Sequence, residues 1–191
     1  MRTATLMMLA LVAAACGDED CPECFAAPPT CTSGSCVPSC GQATLKARTT
    51  FDDYEAATIS FKHATVVDNG QVNNDWDLLF GNDRDPARDL FTVNMVVDDR
   101  SFIVDLGPGV SICDVPSTLD PDPYPTGMFG AHDNLDVHLG HLYLIRNVDS
   151  STRQLALIEV VGHEINRTAT IRWYRSPEPD RFVPPAACGS E

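Results

Sequence analysis

The chain lacks three features that would place it in a common functional class. It is poor in positive charge, since 13 lysines and arginines stand against 27 aspartates and glutamates, and its formal net charge is −14. This balance opposes binding to nucleic-acid phosphates and to anionic lipid surfaces. Beyond its first residues it has no apolar run near the roughly 20 residues of a membrane-spanning helix. It also has no nucleophile and base in a catalytic spacing, so we expect neither a nucleic-acid-binding protein nor an enzyme.

The one long apolar run stands at the start of the chain. Arg2 precedes the run Leu6–Ala15, which is too short to cross a bilayer and is typical of a secretion signal. The run ends in Val12-Ala13-Ala14-Ala15-Cys16, and small residues directly before a cysteine resemble a bacterial lipobox. This pattern predicts removal of residues 1–15 and acylation of Cys16. The protein would then be an envelope lipoprotein of the outer membrane, facing the periplasm or the surface and held by lipid chains alone. An ordinary signal peptide is the alternative.

Seven further cysteines follow in two groups. Five stand close together among prolines and glycines and two lie far apart in the rest of the chain: Cys21, Cys24, Cys31, Cys36 and Cys40, then Cys113 and Cys188. Because an exported chain meets an oxidising compartment, all seven are disulfide candidates. A zinc knuckle is the alternative, since Cys-x2-Cys is typical ligand spacing. Five is an odd number, and the pairing stays open. We interpret residues 16–47 as a lipidated, Cys/Pro-rich tether and residues 48–191 as one domain.

Short runs of alternating apolar residues fill that domain. They are Ile59–His63, Phe91–Val97, Phe102–Leu106, Val137–Ile145, Leu155–Val161 and Ala169–Trp173. A period of two is typical of strands with one face on a core, and no window has the period of a useful amphipathic helix. Glycine and proline are dense between Gly107 and Asp136, which predicts a long irregular loop of the kind that carries function. The prediction is a single antiparallel all-β domain.

Several motifs stand in a characteristic order. They are Ile59–His63 (ISFKH), Asp75–Phe80 (DWDLLF), His141–Asn147 (HLYLIRN), Leu155–Val160 (LALIEV) and Thr168–Arg175 (TATIRWYR). Over about residues 50–176 this order resembles the HmuY-like family of secreted haem-binding lipoproteins. The resemblance implies an all-β domain of HmuY-like type that captures haem or another porphyrin for iron acquisition, with an outer-membrane receptor as a further partner. The alternative is a surface binding or interaction protein that kept the fold without haem.

Members of that family hold haem in the middle of the chain, where this sequence is shorter. Three histidines, His132, His138 and His141, follow this segment within ten residues, and Met128 precedes them. Iron porphyrins take one or two axial donors, commonly His or Met. On one strand, His138 and His141 would point to opposite faces. We therefore take His132 with His138 as the axial pair and Met128 as a substitute donor, and interpret His141 as a core or edge histidine.

The same segment offers a second chemistry. His132, His138 and Asp133, together with Asp136, combine imidazole and carboxylate donors that suit zinc or copper. Solvated loop histidines are the simplest alternative. Arg84, Arg88 and Arg100 are the arginines that we expect to provide positive charge for haem propionates.

Two expectations concern the scaffold. Trp76 is predicted to be a buried anchor with Asp75 and Asp77 as its polar flanks. His63 shares the parity of Ile59 in an alternating run, so it is predicted to be buried and hydrogen-bonded.

Overall fold

Two five-stranded antiparallel sheets form the body of the protein, which confirms the predicted all-β class. The computed structural model describes residues 30–32, 35–37, 39–51, 54–66, 76–82, 84–85, 87–94, 101–115, 134–148, 153–179 and 181–185. No helix in these ranges has the length and apolar character needed to cross a membrane.

Twelve strands are formed by the described residues. They are β1 (Thr30–Thr32), β2 (Ser35–Val37), β3 (Cys40–Lys46), β4 (Thr58–Ser60), β5 (Thr65–Val66), β6 (Leu78–Phe80), β7 (Leu90–Val93), β8 (Phe102–Pro108), β9 (Asn134–Asp136), β10 (His141–Val148), β11 (Arg153–Glu164) and β12 (Thr168–Arg175). Two four-residue helices, α1 (Arg48–Phe51) and α2 (Tyr54–Ala57), connect β3 to β4, and a 3₁₀ turn, Ile112–Asp114, follows β8.

The strands divide into two large sheets and a small hairpin. The first sheet has the order β3-β12-β11-β10-β8, and the second has the order β5-β4-β6-β7-β9. Strands β1 and β2 pair separately. The chain passes from the second sheet to the first between β9 and β10, a connection that joins the edge strand β9 to the interior strand β10.

The first sheet is buried on both of its faces. Alternate residues of β11 show this, because Ile158 and Val160 pack in the core between the two sheets, whereas Leu155 and Leu157 pack on the opposite side. That opposite side is covered by the 3₁₀ turn and by Phe182 near the chain's end. A strand that is buried on both faces has apolar side chains at consecutive positions, which explains the apolar runs in the sequences of β10 and β11.

The domain begins earlier than the sequence predicts. Residues 40–46, which we placed in the tether, form β3, the edge strand of the first sheet. All seven residues of β3 align with β12, from Lys46 opposite Thr168 to Cys40 opposite Tyr174. The tether boundary at residue 47 is therefore wrong, because the pairing of this strand with β12 could not be seen in its own polar sequence.

The first apolar run is shorter than its alternation suggests. Strand β4 ends at Ser60, and residues 61–64 form a turn in which Ala64 has a φ of 54°. His63 lies in this turn and is exposed. The prediction of a buried His63 is wrong, because the turn ends the alternation of faces on which it depended.

In the Trp-Asp motif the aspartate is buried and the tryptophan is not, which is the reverse of the prediction. Trp76 is only half-buried, whereas Asp77 is buried, with 3% of its surface exposed. The buried tryptophan is Trp173 on β12, whose ring lies 5.9 Å from that of Phe61. Asp75 lies outside the described residues. The anchor of this motif is therefore a buried acid rather than the aromatic ring.

Two further strand predictions change in extent. In the run Phe91–Val97, β7 ends at Val93 and Asn94 lies outside the strand, while residues 95–100 lie outside the described ranges. The segment Gly107–Asp136 is not irregular throughout, because β8 continues to Pro108 and β9 precedes the turn to β10. Residues 116–133 lie outside the described ranges.

Candidate functional site

A tight turn between β9 and β10 carries the two histidines that the structure describes in the predicted cluster. The backbone N–H of His141 donates to the carbonyl of His138 at 3.3 Å, which makes these residues the first and fourth of a β-turn. Gly140, the third residue, has a φ of 76°, a conformation that glycine adopts without strain. Its N–H donates to Val160 O at 2.8 Å, so the turn is tied to β11.

This geometry brings the two imidazoles together. The ring centroids of His138 and His141 are 4.8 Å apart, with an angle of 44° between the ring planes. The two rings do not point to opposite faces, as the sequence predicted, because β9 ends at Asp136 and β10 begins at His141. We call His138 and His141 the imidazole pair. His138 is exposed and His141 is half-buried.

Asp105 on β8 orients one member of the pair. Its two carboxylate oxygens lie 3.0 and 2.9 Å from Nδ1 of His141. The carboxylate is itself held by the N–H of Gly107, which donates to Oδ1 at 2.8 Å. Because an ionised carboxylate only accepts hydrogen bonds, Nδ1 carries a proton, and in the neutral ring Nε2 keeps its lone pair. His141 therefore has the tautomer in which Nε2 can bind a metal.

Tyr143 fixes the backbone on which His138 stands. Its hydroxyl accepts from the N–H of His138 and donates to the carbonyl of Asp136, both at 2.9 Å. Burial of the ring, which packs edge-on against Phe91, is the main cause that raises the pKa of Tyr143 above its ordinary value. The phenol therefore stays protonated at neutral pH and keeps donating. The turn is held rigidly although one of its histidines is exposed.

The side chains of Asp136 and Arg88 form an ion pair. The Arg88 guanidinium donates to both carboxylate oxygens of Asp136, with NH2 at 2.7 Å from Oδ1 and 2.8 Å from Oδ2. Both side chains are largely exposed. Asp136 is therefore engaged as the partner of an arginine rather than placed as a metal ligand beside His138. The guanidinium that we expected to serve a propionate is likewise engaged.

Most of the other residues that we predicted as ligands, lipidation site or disulfide cysteines lie outside the described ranges. This holds for Met128, His132 and Asp133, for Cys16, and for Cys21, Cys24 and Cys188. Cys31 and Cys36 are described by their backbone alone, and stand opposite each other in the register of β1 and β2. Cys113 is disulfide-bonded. Cys40 is a buried thiol, so it is not a disulfide half in this structure.

Metal-binding capacity in the described ranges is limited to pairs of donors. No group of three or more His, Cys, Asp or Glu side chains is placed there to hold a metal ion. The imidazole pair offers two nitrogens, and Asp105 stands behind one of them. The sequence did not reveal the role of Asp105, which lies in no motif, or that of Tyr143, whose contacts with the turn cannot be seen in the HLYLIRN motif. Only the pairing of β8 with β10 brings Asp105 to the histidines.

Comparison with protein-family models, with curated proteins and with solved structures finds no match to this chain. The fold and the site therefore define the protein as an all-β, two-sheet protein with an imidazole pair on a turn that joins strands of the two sheets.

Proposed function

We propose that this protein is a non-catalytic binding protein of the cell envelope, anchored through Cys16, which takes up Cu²⁺ or Zn²⁺ at the imidazole pair. The observation that carries the proposal is the approach of the two rings to 4.8 Å on a rigid turn. The leader and the cysteine that follows it support the envelope location. The acidic chain, with a net charge of −14, favours the approach of a cation.

The spacing of the rings favours a single ion bound at adjacent positions. A metal–nitrogen bond to histidine is about 2.0–2.1 Å long. Two imidazoles on neighbouring corners of one ion would thus have ring centroids roughly 5 Å apart, close to the observed value. Two axial imidazoles on opposite sides of a haem iron would have centroids roughly 6 Å apart or more, with the porphyrin between them. The pair is therefore too close to sandwich a haem.

The surroundings of His141 support the same chemistry. A carboxylate that receives the second ring N–H fixes the tautomer of a metal-binding histidine and makes it a better donor. Asp105 stands in that position. Imidazole nitrogens suit copper and zinc, and copper has the higher intrinsic affinity of the two. Water would fill the coordination positions that the two rings leave open.

Isothermal titration calorimetry of the purified protein with Cu²⁺ and with Zn²⁺ tests this proposal. We expect one saturable site, which is lost in His138→Ala and in His141→Ala because each removes a ligand. Asp105→Asn should weaken binding by about 10- to 100-fold, since it removes only the group that orients His141. His63→Ala is the matched control, because His63 is also an exposed turn histidine. Equal affinity in the wild type and both ligand variants would exclude the imidazole pair.

Haem held by a single axial imidazole is the second candidate. Its support is the family resemblance and the exposure of His138 next to Leu139, an apolar side chain that is 60% exposed. Haem titration followed at the Soret band separates the candidates. Axial binding by His138 alone would be lost in His138→Ala and kept in His141→Ala, whereas ion binding needs both rings. A haem bound in this way would serve iron acquisition through an outer-membrane receptor.

A further inference from the structure

A small cleft lies at the other end of the first sheet, where β11 begins and β12 ends. Its volume is about 230 Å³, and its lining residues are Lys62, Arg153, Gln154, Arg175, Ser176, Pro177 and Pro179. We call it the basic cleft. Strand β10 runs between the two sites, from His141 to Val148 opposite Arg153. At about 3.3 Å per residue the cleft is roughly 20–25 Å from the imidazole pair, so the two sites are separate.

The charge of this cleft is opposite to that of the protein. Three of its described lining side chains, Lys62, Arg153 and Arg175, are cationic, and none of the described lining residues is an aspartate or glutamate. The whole chain has only 13 lysines and arginines and a net charge of −14. A concentration of positive charge around one concave site creates a local potential that attracts anions, even on an acidic protein.

Arg175 is the fixed element of the cleft. It is half-buried, and its NH1 donates to the carbonyls of Phe61 at 3.1 Å and Lys62 at 3.3 Å. These bonds attach the turn after β4 to the end of β12, which places Lys62 beside the guanidinium. Burial is the largest cause acting on the Arg175 guanidinium and lowers its pKa, against the opposing effect of the buried carboxyl group of Asp77. The side chain remains cationic at neutral pH because its ordinary pKa is so high.

Two prolines add apolar surface to the lining of the cleft. Pro177 and Pro179 follow Ser176, whose hydroxyl donates to Arg181 O at 2.9 Å and accepts from Val183 N at 3.1 Å. The nearby acid, Glu178, is paired with Arg181 at 2.8 Å and does not line the cleft. The proline rings and the aliphatic stems of lysine and arginine thus give the cleft an apolar body below its charged heads.

We infer that the basic cleft binds a small organic carboxylate, whose anionic group meets Lys62, Arg153 and Arg175 and whose apolar body packs against Pro177 and Pro179. Arginine suits this ligand because its planar fork of N–H donors matches a carboxylate. A volume of about 230 Å³ is below that of a site for a drug-sized molecule and fits a ligand of a few carbon atoms or one ring. The inference is independent of the proposed metal site.

Benzoate and its neutral isostere benzamide are suitable probes, with binding followed through the backbone amide signals of the ¹⁵N-labelled protein. We expect benzoate to bind saturably and to shift the amides of Lys62, Arg153, Gln154 and Ser176, while benzamide does not. Acetate, which lacks the apolar body, should bind more weakly than benzoate. Binding should weaken as salt is added, because screening reduces the attraction of exposed charges.

Charge-removing variants complete the test. Lys62→Gln and Arg153→Gln should each weaken benzoate binding by about tenfold, the effect of one charge-assisted hydrogen bond. The matched controls are Lys46→Gln and Arg167→Gln, which remove exposed cations outside the cleft and should leave the affinity unchanged. Circular dichroism checks that each variant is folded. The inference is overturned if benzoate does not saturate, if benzamide binds equally well, or if the controls weaken binding as much.

Discussion

Replacement of Asp77 by alanine is expected to lower the free energy of unfolding by about 3 kcal/mol or more. The residue is 3% exposed, and its carboxylate accepts a hydrogen bond from the backbone N–H of Phe61 at 2.6 Å and another from Nδ2 of Asn147. Alanine would leave both donors buried without an acceptor, and each costs about 1–3 kcal/mol in that state. Urea denaturation followed by tryptophan fluorescence measures the difference.

Asp114→Ala is the matched control for this prediction. Asp114 is an exposed acid in the 3₁₀ turn, and its removal should change the free energy of unfolding by no more than about 0.5 kcal/mol. If Asp77→Ala destabilised the protein no more than this control, the carboxylate of Asp77 would not be a structural acceptor.

The same carboxyl group should make stability depend on pH. Burial is the largest cause acting on Asp77 and raises its pKa above 3.8, against the opposing effect of hydrogen bonds from Asn147 and Phe61. The folded state binds this proton more tightly than the unfolded state, so protonation of Asp77 stabilises the fold. This contribution to the free energy of unfolding is fully present at low pH and is lost as pH rises through the raised pKa. Asp77→Asn cannot titrate. The stability of the wild type relative to this variant should therefore fall as pH rises above about 4, and a constant difference would contradict the raised pKa.

Removal of Asp89 should have the second large effect, a loss of about 3–5 kcal/mol in the free energy of unfolding. The side chain of Asp89 is 1% exposed. Its Oδ2 lies 2.8 Å from Nε2 of His163 and accepts from the backbone N–H of Asn166 at 2.8 Å. The carboxylate precedes β7 of the second sheet, and its partners belong to the β11–β12 hairpin of the first. Asp89→Ala therefore breaks a buried connection between the two sheets.

The neighbouring residue supplies a matched comparison. Arg88 pairs with Asp136, but the two side chains are 59% and 40% exposed, and exposed ion pairs contribute about 1 kcal/mol or less. Arg88→Ala should thus be far milder than Asp89→Ala. A double-mutant cycle with His163→Ala measures the direct coupling, and we expect the double variant to lose less than the two single variants together. Strict additivity would show that the imidazole does not interact with the carboxylate.

Much of the first sheet could be predicted from local sequence. The alternation in Phe102–Leu106 and Ala169–Trp173 marks β8 and β12 correctly, because side chains of neighbouring residues point to opposite faces of a strand. The same rule failed where a turn interrupts it. The run Val137–Ile145 alternates as a strand would, yet Gly140 adopts a positive φ and the chain changes sheets there.

The candidate site was predicted in part. The sequence identified His138 as a candidate ligand because it stands in a cluster of donor side chains, and it indicated a core or edge position for His141. It placed their rings on opposite faces, whereas the turn brings them to 4.8 Å. The partner of His141 is Asp105, thirty-six residues earlier in the chain. No local pattern could reveal this contact, which depends on the register of β8 against β10.

The sequence by itself determined the all-β class, because hydrophobic periodicity is a local property that each strand carries in its own residues. It also determined the acidic balance and the set of donor side chains. Only the tertiary structure decided which polar residues are buried and what they meet. Asp77, Asp89 and Asp105 look alike as exposed acids in the sequence, but each is hydrogen-bonded to a residue brought near by strand pairing or by the packing of the two sheets. Their roles follow from contacts between distant segments, and such contacts exist only once the two sheets have formed.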